Sequence, residues 1–389
     1  MHIPPKNYNF AAYFHTDCMN TTKVAYLLGS LNRGGTETLL LDVFRNASSA
    51  HFPFIGIHRK NGTLQADFQA TSVPLFCCAP RPLHFIAYLV RLRHLLRSQN
   101  VTMAHAQQYI DAIYARLATI GTNIRVIQTF HGFDTDCSRT QRLLIRLSMR
   151  LSHTICFVSN AQRNYYIQQY PLLRRKNTQV IYNGIDFSKL DTNDTPNPAL
   201  PQKIDPAKRG LKLAMVGNFV SVRSQNSLLQ FLLRLHNDNH PFDFYFVGKR
   251  NANEPWRYDD CLSFCQQHQL DEVHFLGSRS DVPAILHQLD AFLYATDHDT
   301  FGIAVVEAIA AGLTVFVNDH EVMKEVTNNG SWAVLYRSND TDDLYAHFLR
   351  FLDNQQAYRQ QAELNARAIR DYYSISNHLN QLRQLYTEQ

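Results

Sequence analysis

Two carboxylates and a glycine lie close together in the stretch 297–312, DHDTFGIAVVEAIAAG. Asp299 precedes a Phe-Gly pair, and Glu307 follows within an apolar, small-residue segment that is typical of a helix. Gly302 and Ile303 would begin that helix, and the first N–H groups of a helix have no partner within it and attract anions. Carboxylates accept hydrogen bonds from paired hydroxyl groups. The pattern predicts a site for an anion with hydroxyl groups on both sides, and a sugar nucleotide is such a molecule.

A strand pattern, DAFLYAT at 290–296, leads directly into this block, so Asp299 is predicted on a loop at the C-terminal end of a strand. Wound parallel sheets bind their ligands at that edge. The same residues allow two other interpretations. Asp297, His298 and Asp299 spell D-x-D, in which two carboxylates would ligate a divalent metal beside a diphosphate. In the plainest alternative, Asp299 lies on a solvated loop and Glu307 on a helix surface.

Short β-rich runs alternate with helical patterns along both halves of the chain. In the first half the predicted strands are 23–28, 54–57, 73–76, 102–106, 125–130, 154–158 and 179–182. In the second half they are 213–216, 244–247, 273–276, 291–294, 314–317 and 333–335. Helical patterns lie between them, for example at 36–47 and 83–97. This alternation predicts right-handed crossovers and an α/β fold of two Rossmann-like, doubly wound parallel-sheet domains with a cleft between them.

We predict five segments along the chain. An extension at 1–18 is expected to be dispensable for folding, and a first wound domain spans 19–190. The polar stretch 191–210 contains four prolines and is predicted to be a linker. A second wound domain spans 211–370, and a C-terminal helix at 371–389 is expected to pack back towards the first domain.

Composition is typical of a soluble globular protein of two or three domains, since 45% of the 389 residues are hydrophobic and 18% are charged. The formal charge of +5 is unevenly distributed. Residues 1–190 hold 21 Lys and Arg against 8 Asp and Glu, whereas 191–389 hold 17 against 25. The basic first half predicts an anionic partner for that domain. Nucleic acid is disfavoured, because the basic helices lack interleaved exposed aromatic residues and a known binding motif.

The seven cysteines are scattered and odd in number, which argues against a disulfide framework. Cys261 and Cys265 share a predicted helix face but have no second ligand pair nearby, so a zinc site is not expected. The N-terminus lacks the apolar core and cleavage site of a secretory signal. Apolar runs such as 303–311 are too short to span a membrane. We therefore expect reduced thiols, no metal and a cytoplasmic location.

One predicted helix, in SRTQRLLIRLSMRLSH at 138–153, carries a stripe of basic residues. The arginines recur every three or four positions, at Arg139, Arg142, Arg146 and Arg150. Leucines occupy an adjoining face, at Leu143, Leu144, Leu147 and Leu151. A second basic helix contributes Arg91, Arg93 and Arg97. These helices suit an anionic membrane surface or a lipid-diphosphate acceptor, and the alternative is an ordinary amphipathic helix with a solvated basic face.

Eight stretches in order along the chain resemble glycosyltransferase family 4, the retaining nucleotide-sugar transferases of the GT-B fold. They are LLGSLNRGGTET, QTFHGFD, FVSNAQRNYY, VIYNGID, MVGNFVSVRSQNSLLQ, FVGKR, VHFLGSRSDVPAIL and the acidic block described first. Together they extend from residue 23 nearly to the C-terminus. The resemblance implies that the second domain binds the nucleotide sugar and that the acceptor lies against the first.

The resemblance also assigns roles to the acidic block. In the family both acidic positions are usually Glu; the first contacts donor-sugar hydroxyls and the second holds the ribose hydroxyls. Asp299 matches the first position with a side chain one methylene shorter, and Glu307 matches the second. Phe301, Gly302 and Ile303 are then expected to line the donor site.

In the resembled family, a basic pair after the first strand of the second domain stabilises the leaving diphosphate. Arg223 matches one member of that pair. Gly217-Asn218 replaces the commoner Gly-Arg, so Asn218 is expected to donate only a neutral hydrogen bond. Lys249 or Arg250 is the candidate source of the missing charge, and a solvated loop position is the alternative for both.

Further donor-site positions follow from the resemblance. The loop holding Gly34 and Gly35 would face the donor phosphate and the acceptor, because glycine lets the backbone approach a ligand closely. His131, at a predicted strand end, would lie near the anomeric centre and act in catalysis with Arg223, Asp299 and Glu307. Arg279 falls in a loop that packs on the base, mostly through backbone groups. A structural role is the alternative for the glycine pair, His131 and Arg279.

The resemblance therefore implies a metal-independent, cofactor-free, retaining glycosyltransferase of the hexosyltransferase type. It would move a sugar from a UDP-sugar to a glycan or lipid-linked acceptor in surface polysaccharide synthesis, in the cytoplasm and peripherally on the inner face of the membrane. The diphosphate itself would act as the base, so no enzyme nucleophile is expected. One alternative is a nucleotide-sugar 2-epimerase on the same scaffold. The other is a degenerate transferase that serves as a binding or assembly partner, which the departures at Asn218 and Asp299 keep open.

Overall fold

The computed structural model describes residues 22–81, 83–191, 200–201 and 210–387. The strands of the first half are β1 (Val24–Ser30), β2 (Phe54–Lys60), β3 (Leu75–Cys77), β4 (Met103–Ala106), β5 (Arg125–Phe130), β6 (Thr154–Phe157) and β7 (Asn177–Val180). Those of the second half are β8 (Leu211–Val216), β9 (Phe242–Val247), β10 (Val273–Gly277), β11 (Ala291–Tyr294), β12 (Thr314–Asn318) and β13 (Val334–Tyr336).

The helices of the first half are α1 (Gly35–Arg45), α2 (Gln65–Gln69), α3 (Phe85–Ser98), α4 (Tyr109–Ala118), α5 (Arg139–Leu151), α6 (Asn160–Gln169) and α7 (Ser188–Asp191). Those of the second half are α8 (Gln225–Asn237), α9 (Pro255–Gln267), α10 (Val282–Leu286), α11 (Ile303–Ala310), α12 (Glu321–Val326), α13 (Thr341–Asp353), α14 (Gln355–Tyr372) and α15 (Ile375–Thr387). Short 3₁₀ helices lie at Ala47–Ser49 and Pro171–Arg175.

The strands form two sheets, in the orders β3-β2-β1-β4-β5-β6-β7 and β10-β9-β8-β11-β12-β13. All pairings between these strands are parallel. The chain order reverses beside β1 in the first sheet and beside β8 in the second, and doubly wound sheets bind ligands at such points. The prediction of two Rossmann-like parallel-sheet domains is confirmed.

Every predicted strand has a counterpart, and the differences lie at strand ends. β3 begins at Leu75 instead of 73, because Pro74 has no N–H for the ladder. β7 lies two residues earlier than predicted, because its pairing with β6 ends where Val180 meets Phe157. Beyond that pair, the Tyr182 hydroxyl donates a 2.8 Å hydrogen bond to a Glu325 carboxylate oxygen of α12.

The C-terminal helix α15 belongs to the core of the first domain. Its buried apolar residues pack in one cluster with strand residues of the first sheet; from the helix these are Ile375, Leu379, Leu382, Leu385 and Tyr386. The Tyr386 hydroxyl donates to the Tyr26 hydroxyl at 3.0 Å and bonds to His105 Nδ1 at 2.5 Å. His105 Nε2 lies 2.7 Å from the Thr129 hydroxyl, so the buried polar groups of this contact are paired.

One carboxylate of the second domain joins the start of α6 in the first. Glu325 accepts hydrogen bonds from the backbone N–H groups of Asn160 at 2.7 Å and Ala161 at 2.8 Å. These are orphan donors at the positive end of a helix, where a carboxylate is favoured. The contact therefore fixes the two domains against each other beside the cleft.

Other sequence expectations have partial outcomes. The six described cysteines are free, and Cys261 and Cys265 are both buried on α9. None of the helices in the described ranges is long and apolar enough to cross a membrane. Cys18, the extension at 1–18 and most of the predicted linker at 191–210 lie outside the described residues.

Candidate active site

One cleft lies between the two sheets, where loops from the C-terminal ends of the strands face each other. From the first domain it is lined by Gly34, Gly35, His131, Asp136 and Asn183 among others. From the second it is lined by Gly217, Asn218, Arg223, Arg279, Asp299 and Glu307 among others. The structure thus brings together residues that are distant in sequence at the edge where wound sheets bind ligands.

The helix predicted from the acidic block is α11, and Gly302 is its N-cap residue. Gly302 has φ of +81°, and a Cβ atom there would lie 2.7 Å from the Met323 methyl group, so only glycine fits. The first intrahelical bonds are made by the N–H groups of Val305 and Val306 to the Gly302 carbonyl. The N–H groups of Ile303 and Ala304 precede them and face the cleft end of the helix, which is the geometry for an anion.

Asp299 lines the cleft, but its carboxylate is engaged by its neighbours. Oδ2 accepts a hydrogen bond from the Tyr294 hydroxyl at 2.8 Å and lies 3.1 Å from Arg223 Nη1. Oδ1 accepts from the backbone N–H groups of Thr300 at 2.8 Å and Phe301 at 3.4 Å. The Asp299 side chain is only 9% exposed. Its oxygens are therefore directed at the protein, whereas the resemblance implied donor-sugar hydroxyls as their partners.

Arg223 lies in the loop between β8 and α8 and is largely buried, with 19% of its side chain exposed. Its guanidinium carbon is 5.2 Å from the centre of the Tyr294 ring. Nη1 also lies 3.4 Å from the Thr296 hydroxyl oxygen, and Nε is buried without a partner. Because Arg223 also lines the cleft, its largely buried positive charge is placed to attract an anion there.

Glu307 lies in the second turn of α11 and lines the cleft. Burial raises the pKa of its carboxyl to about 7; nearby Lys189 lowers it, and nearby Asp42 raises it. Lys189 and Asp42 form an ion pair with each other. Among the described residues no group donates a hydrogen bond to Glu307, so its carboxylate is available to a ligand.

His131 follows β5 and faces Arg223 and Glu307 across the cleft. Its Nε2 lies 2.8 Å from Gln107 Oε1, which assigns the ring proton to Nε2. Burial, together with the charge of nearby His378, lowers the pKa of His131 to about 4, so the ring is neutral at pH 7. The Thr300 hydroxyl donates to the His131 carbonyl at 2.9 Å, which links the two walls.

The candidate replacements for the missing basic residue are not in place. Asn218 Oδ1 accepts a hydrogen bond from the Lys249 N–H at 2.9 Å, so Asn218 holds its own loop. The Lys249 side chain is exposed and is not among the described groups that line the cleft. Arg250 pairs with Asp259 at 2.6 Å on the surface. Lys249 and Arg250 therefore both occupy solvated loop positions, which was the alternative to a role in the donor site.

The remaining predicted donor-site residues lie around the cleft. Gly34 is the N-cap of α1, and a Cβ on Gly35 would lie 3.9 Å from the Ile303 side chain, so the two walls approach closely there. Arg279 lines the cleft but forms a two-point ion pair with Asp281, with distances of 2.7 and 2.5 Å. That pairing fits a structural role for the Arg279 side chain.

The D-x-D spelling does not correspond to two converging carboxylates. Asp297 is exposed and its N–H donates to the Val222 carbonyl at 3.2 Å, whereas Asp299 turns inward to Arg223. Within the described ranges no three His, Cys, Asp or Glu side chains come together as a metal site.

The basic stripe lies on α5, where Arg139, Arg142, Arg146 and Arg150 are all exposed. None of these arginines lines the cleft, but Arg142 donates a 3.0 Å hydrogen bond to the carbonyl of Thr135, which does. Leu143 is 66% exposed and Leu147 is 41% exposed, so these leucines share the outer face with the arginines. On α3, Arg91 and Arg93 bond to backbone carbonyls of neighbouring loops, at Ala79, Ala118 and Ile120. Exposed apolar residues accompany them, at Phe85, Ile86 and Val90.

Sequence reasoning missed the residues that orient the site. Gln107 holds His131, and Tyr294 and Thr296 hold Arg223 with Asp299. A polar residue directly after an apolar strand was the available signal for Gln107 and Thr296. Tyr294 had no such signal, because a tyrosine in a strand is common in any buried sheet.

Two parallel-sheet domains, a cleft at their C-terminal edges, and an arginine beside an open helix start define the GT-B class of nucleotide-sugar transferases. A family model described as "Glycosyl transferases group 1" matches residues 197–369. A second, described as "Glycosyltransferase Family 4", matches residues 33–189. The chain belongs to this family of GT-B glycosyltransferases.

Similar proteins match most of the length of the chain. The N-acetyl-alpha-D-glucosaminyl L-malate synthase of Bacillus anthracis is 22% identical over 335 residues, covering 82% of this chain and 83% of that protein. The UDP-Gal:alpha-D-GlcNAc-diphosphoundecaprenol alpha-1,3-galactosyltransferase of Escherichia coli is 22% identical over 340 residues, covering 82% and 85%. The crystal structure of Anabaena Alr3699/HepE in complex with UDP-glucose matches with a TM-score of 0.78 at 16% identity, covering 94% of this chain and 100% of that one.

Proposed function

We propose that this glycosyltransferase moves a hexose from a UDP-sugar to a sugar hydroxyl of a glycan or lipid-linked acceptor, with retention and without a metal. Two relatives support the substrate classes: the E. coli relative is named for a diphosphoundecaprenol-linked acceptor, and HepE was crystallised with UDP-glucose. Surface polysaccharide synthesis is the process that such an acceptor implies.

The observation that carries the proposal is the grouping of three features on one wall of the cleft. Arg223 supplies a buried positive charge, the start of α11 supplies free N–H groups, and Glu307 supplies an available carboxylate. The first two suit a diphosphate. The carboxylate suits the ribose diol, because it can accept two hydrogen bonds from neighbouring hydroxyls.

Retention fits the ionisable groups that are expected beside the transferred sugar, Asp299 and His131, since Glu307 is assigned to the ribose. Asp299 has both carboxylate oxygens engaged, and His131 is a neutral ring bonded to Gln107. Neither is free to act as a nucleophile or a strong base. The acceptor hydroxyl then attacks from the side on which UDP leaves, and a diphosphate oxygen takes its proton.

Metal independence fits the source of positive charge. The charge that develops on the leaving diphosphate is stabilised by the Arg223 guanidinium and by the α11 N–H groups. Asp299, one of the two D-x-D carboxylates, already balances Arg223. UDP release measured with chelator and with added Mg²⁺ tests this, and equal rates are expected.

Peripheral contact with an anionic membrane on the cytoplasmic side is the further part of this proposal. The outer face of α5 combines four arginines with two exposed leucines, a combination that suits anionic headgroups and the acyl boundary. Flotation with phosphatidylglycerol vesicles is expected to retain the protein, and Leu143→Ser with Arg146→Glu is expected to release it. Leu364→Ser, at an exposed leucine of α14, is the matched control. Equal retention on neutral phosphatidylcholine vesicles would contradict this part.

The central test is nucleotide binding followed by turnover. A thermal-shift screen should rank UDP and UDP-sugars above other nucleotides, since a ligand at one hundred times its Kd stabilises by about 2.7 kcal/mol. Incubation of the best UDP-sugar with sugar and lipid-linked acceptors should then release UDP and form an α-linked product from an α-linked donor. Conversion of the donor with no acceptor present would instead identify an epimerase. Binding without turnover on any acceptor would favour a non-catalytic role.

A further inference from the structure

We propose that Asp299 is a positioning residue for Arg223 and does not bind the donor sugar. This inference rests on the proposed function, since it concerns how the same cleft holds a UDP-sugar. The family resemblance implied instead that Asp299, the first carboxylate of the acidic block, recognises sugar hydroxyls.

The first line of evidence is the use of the Asp299 oxygens. Oδ1 caps the loop before α11 by accepting from Thr300 and Phe301, and Oδ2 is shared between the Tyr294 hydroxyl and Arg223. A carboxylate offers about four acceptor sites in all. Hydrogen bonds from Tyr294, Thr300 and Phe301 use three of them, and the Arg223 guanidinium lies 3.1 Å from Oδ2 as an ion pair. A sugar hydroxyl would have to compete with Arg223 or displace one of these donors.

The second line of evidence is the requirement of Arg223. Its buried guanidinium needs a negative partner, and Asp299 is the carboxylate that the structure gives it. Nη1 is committed to Asp299 and the Thr296 hydroxyl, and the Tyr294 ring lies 5.2 Å from the guanidinium carbon. Asp299, Thr296 and Tyr294 therefore hold the guanidinium in place at the cleft.

The third line of evidence is side-chain length. An aspartate at this position reaches back to its own loop and to the strand residue Tyr294. A glutamate would carry its oxygens one methylene further, and the loop N–H contacts of Thr300 and Phe301 would be lost. The length of the Asp299 side chain therefore suits it to holding Arg223 and not to reaching the donor sugar.

Calorimetric titration of UDP and of UDP-glucose separates the two roles, because UDP has no sugar to contact. For Asp299→Asn we expect affinity for UDP and for UDP-glucose to fall by the same factor, about tenfold for one lost charge-assisted hydrogen bond. A sugar-contacting Asp299 would instead lower UDP-glucose affinity and leave UDP affinity unchanged, which would overturn the inference. Unchanged affinity for both ligands would also overturn it.

A double-mutant comparison with Arg223 distinguishes positioning of the arginine from a general structural role of Asp299. In an Arg223→Ala background, Asp299→Asn is expected to cause no further loss of UDP affinity. A further tenfold loss there would overturn the inference. If Asp299→Asn does not fold, Tyr294→Phe provides the same comparison. We expect it to lower the affinities for UDP and for UDP-glucose by the same factor. A loss of affinity for UDP-glucose alone would count against the inference. Failure of the wild-type protein to bind UDP at all would refute the proposed function itself and is distinguishable from these results.

Discussion

The two sheets present equivalent strand orders to the cleft, but the loops at their C-terminal ends carry different chemistry. On the first wall His131 and Gln107 bond to each other, and the ring is neutral because burial lowers its pKa to about 4. On the second wall Arg223 and Asp299 form a buried ion pair. Strand order determines where a ligand binds, and the loop residues determine which ligand binds. The first wall has no described cation lining the cleft and one carboxylate, Asp136, whereas the second wall has a buried ion pair.

This difference corresponds to the two halves of a transfer reaction. The second wall, with Arg223, suits a diphosphate, and the first wall, with polar groups and no described cation, suits a hydroxylated acceptor. On that first wall Asn183 lines the cleft, and its Oδ1 is buried without a partner, so a hydroxyl donor would satisfy it. If the second wall binds the diphosphate and the first wall binds the acceptor, substitutions on the two walls should have different effects.

Removal of the charge from the second wall should have the largest effect. Arg223→Ala is expected to lower kcat/KM by about 100- to 1000-fold, because the developing charge on UDP loses its fixed cation. Arg359→Ala, at a 70% exposed side chain of α14, is the matched control and should be unchanged. Steady-state release of UDP measures both, and a similar loss in the control would remove the special role of Arg223.

Protonation of the second wall should weaken nucleotide binding. The Glu307 carboxyl has a pKa raised to about 7, mainly by burial. Ribose hydroxyls require the ionised form, so UDP affinity should be full at about pH 8 and fall below the pKa by up to about tenfold per pH unit. Calorimetric titration across this range measures the effect.

A control is needed because a phosphate of UDP itself titrates at about pH 6, and this would also change UDP affinity over the same range. Glu307→Gln removes the carboxyl and keeps the phosphate, so the difference between the two proteins isolates Glu307. An identical pH dependence in both proteins would show that the carboxylate does not bind the ribose. His131, with a pKa of about 4, stays neutral through this window.

Alteration of the first wall should change turnover and spare nucleotide binding. His131→Ala is expected to reduce kcat by about tenfold, the order of one hydrogen bond to the reacting sugar. The Kd for UDP should remain at the wild-type value, because His131 lies on the opposite wall. Equal losses in kcat and UDP affinity would erase the functional distinction between the two walls.

The smallest effect concerns stability of the first domain alone. Tyr386→Phe removes the hydroxyl that bonds to Tyr26 and His105, so the free energy of unfolding should fall by about 1–2 kcal/mol. Tyr372→Phe, at a 47% exposed side chain, is the matched control. Urea denaturation measures both, and equal stability of the two variants would mean that α15 does not depend on this buried contact.

Much of the fold was predictable because it depends on local pattern. Apolar periodicity placed every strand, and a glycine before an apolar, small-residue run indicated the start of α11. Strand ends were less predictable. β7 lies two residues earlier than predicted, because its pairing with β6 sets its end.

For the site, the sequence identified most of the residues that line the cleft but not what each one contacts. Lys249 follows Gly248 directly, yet Gly248 lines the cleft and the Lys249 side chain is exposed outside it. Asn218 departs from the family pattern as expected, but its bond to the Lys249 N–H became visible only in the folded loop. Residue type limits the chemistry of a side chain, whereas its partner depends on the path of a second loop.

By itself the sequence determined two wound domains, a helix that begins after Gly302 and the resemblance to a family of glycosyltransferases, because these depend on periodicity and short motifs. Only the tertiary structure decided that Asp299 faces Arg223, 76 positions earlier in the chain, and that His131 faces Gln107. The physical reason is that parallel strands bring the ends of distant loops to one edge. A carboxylate buried at that edge bonds to the donors and the cation that the fold places beside it, and motif spacing contains no information about them.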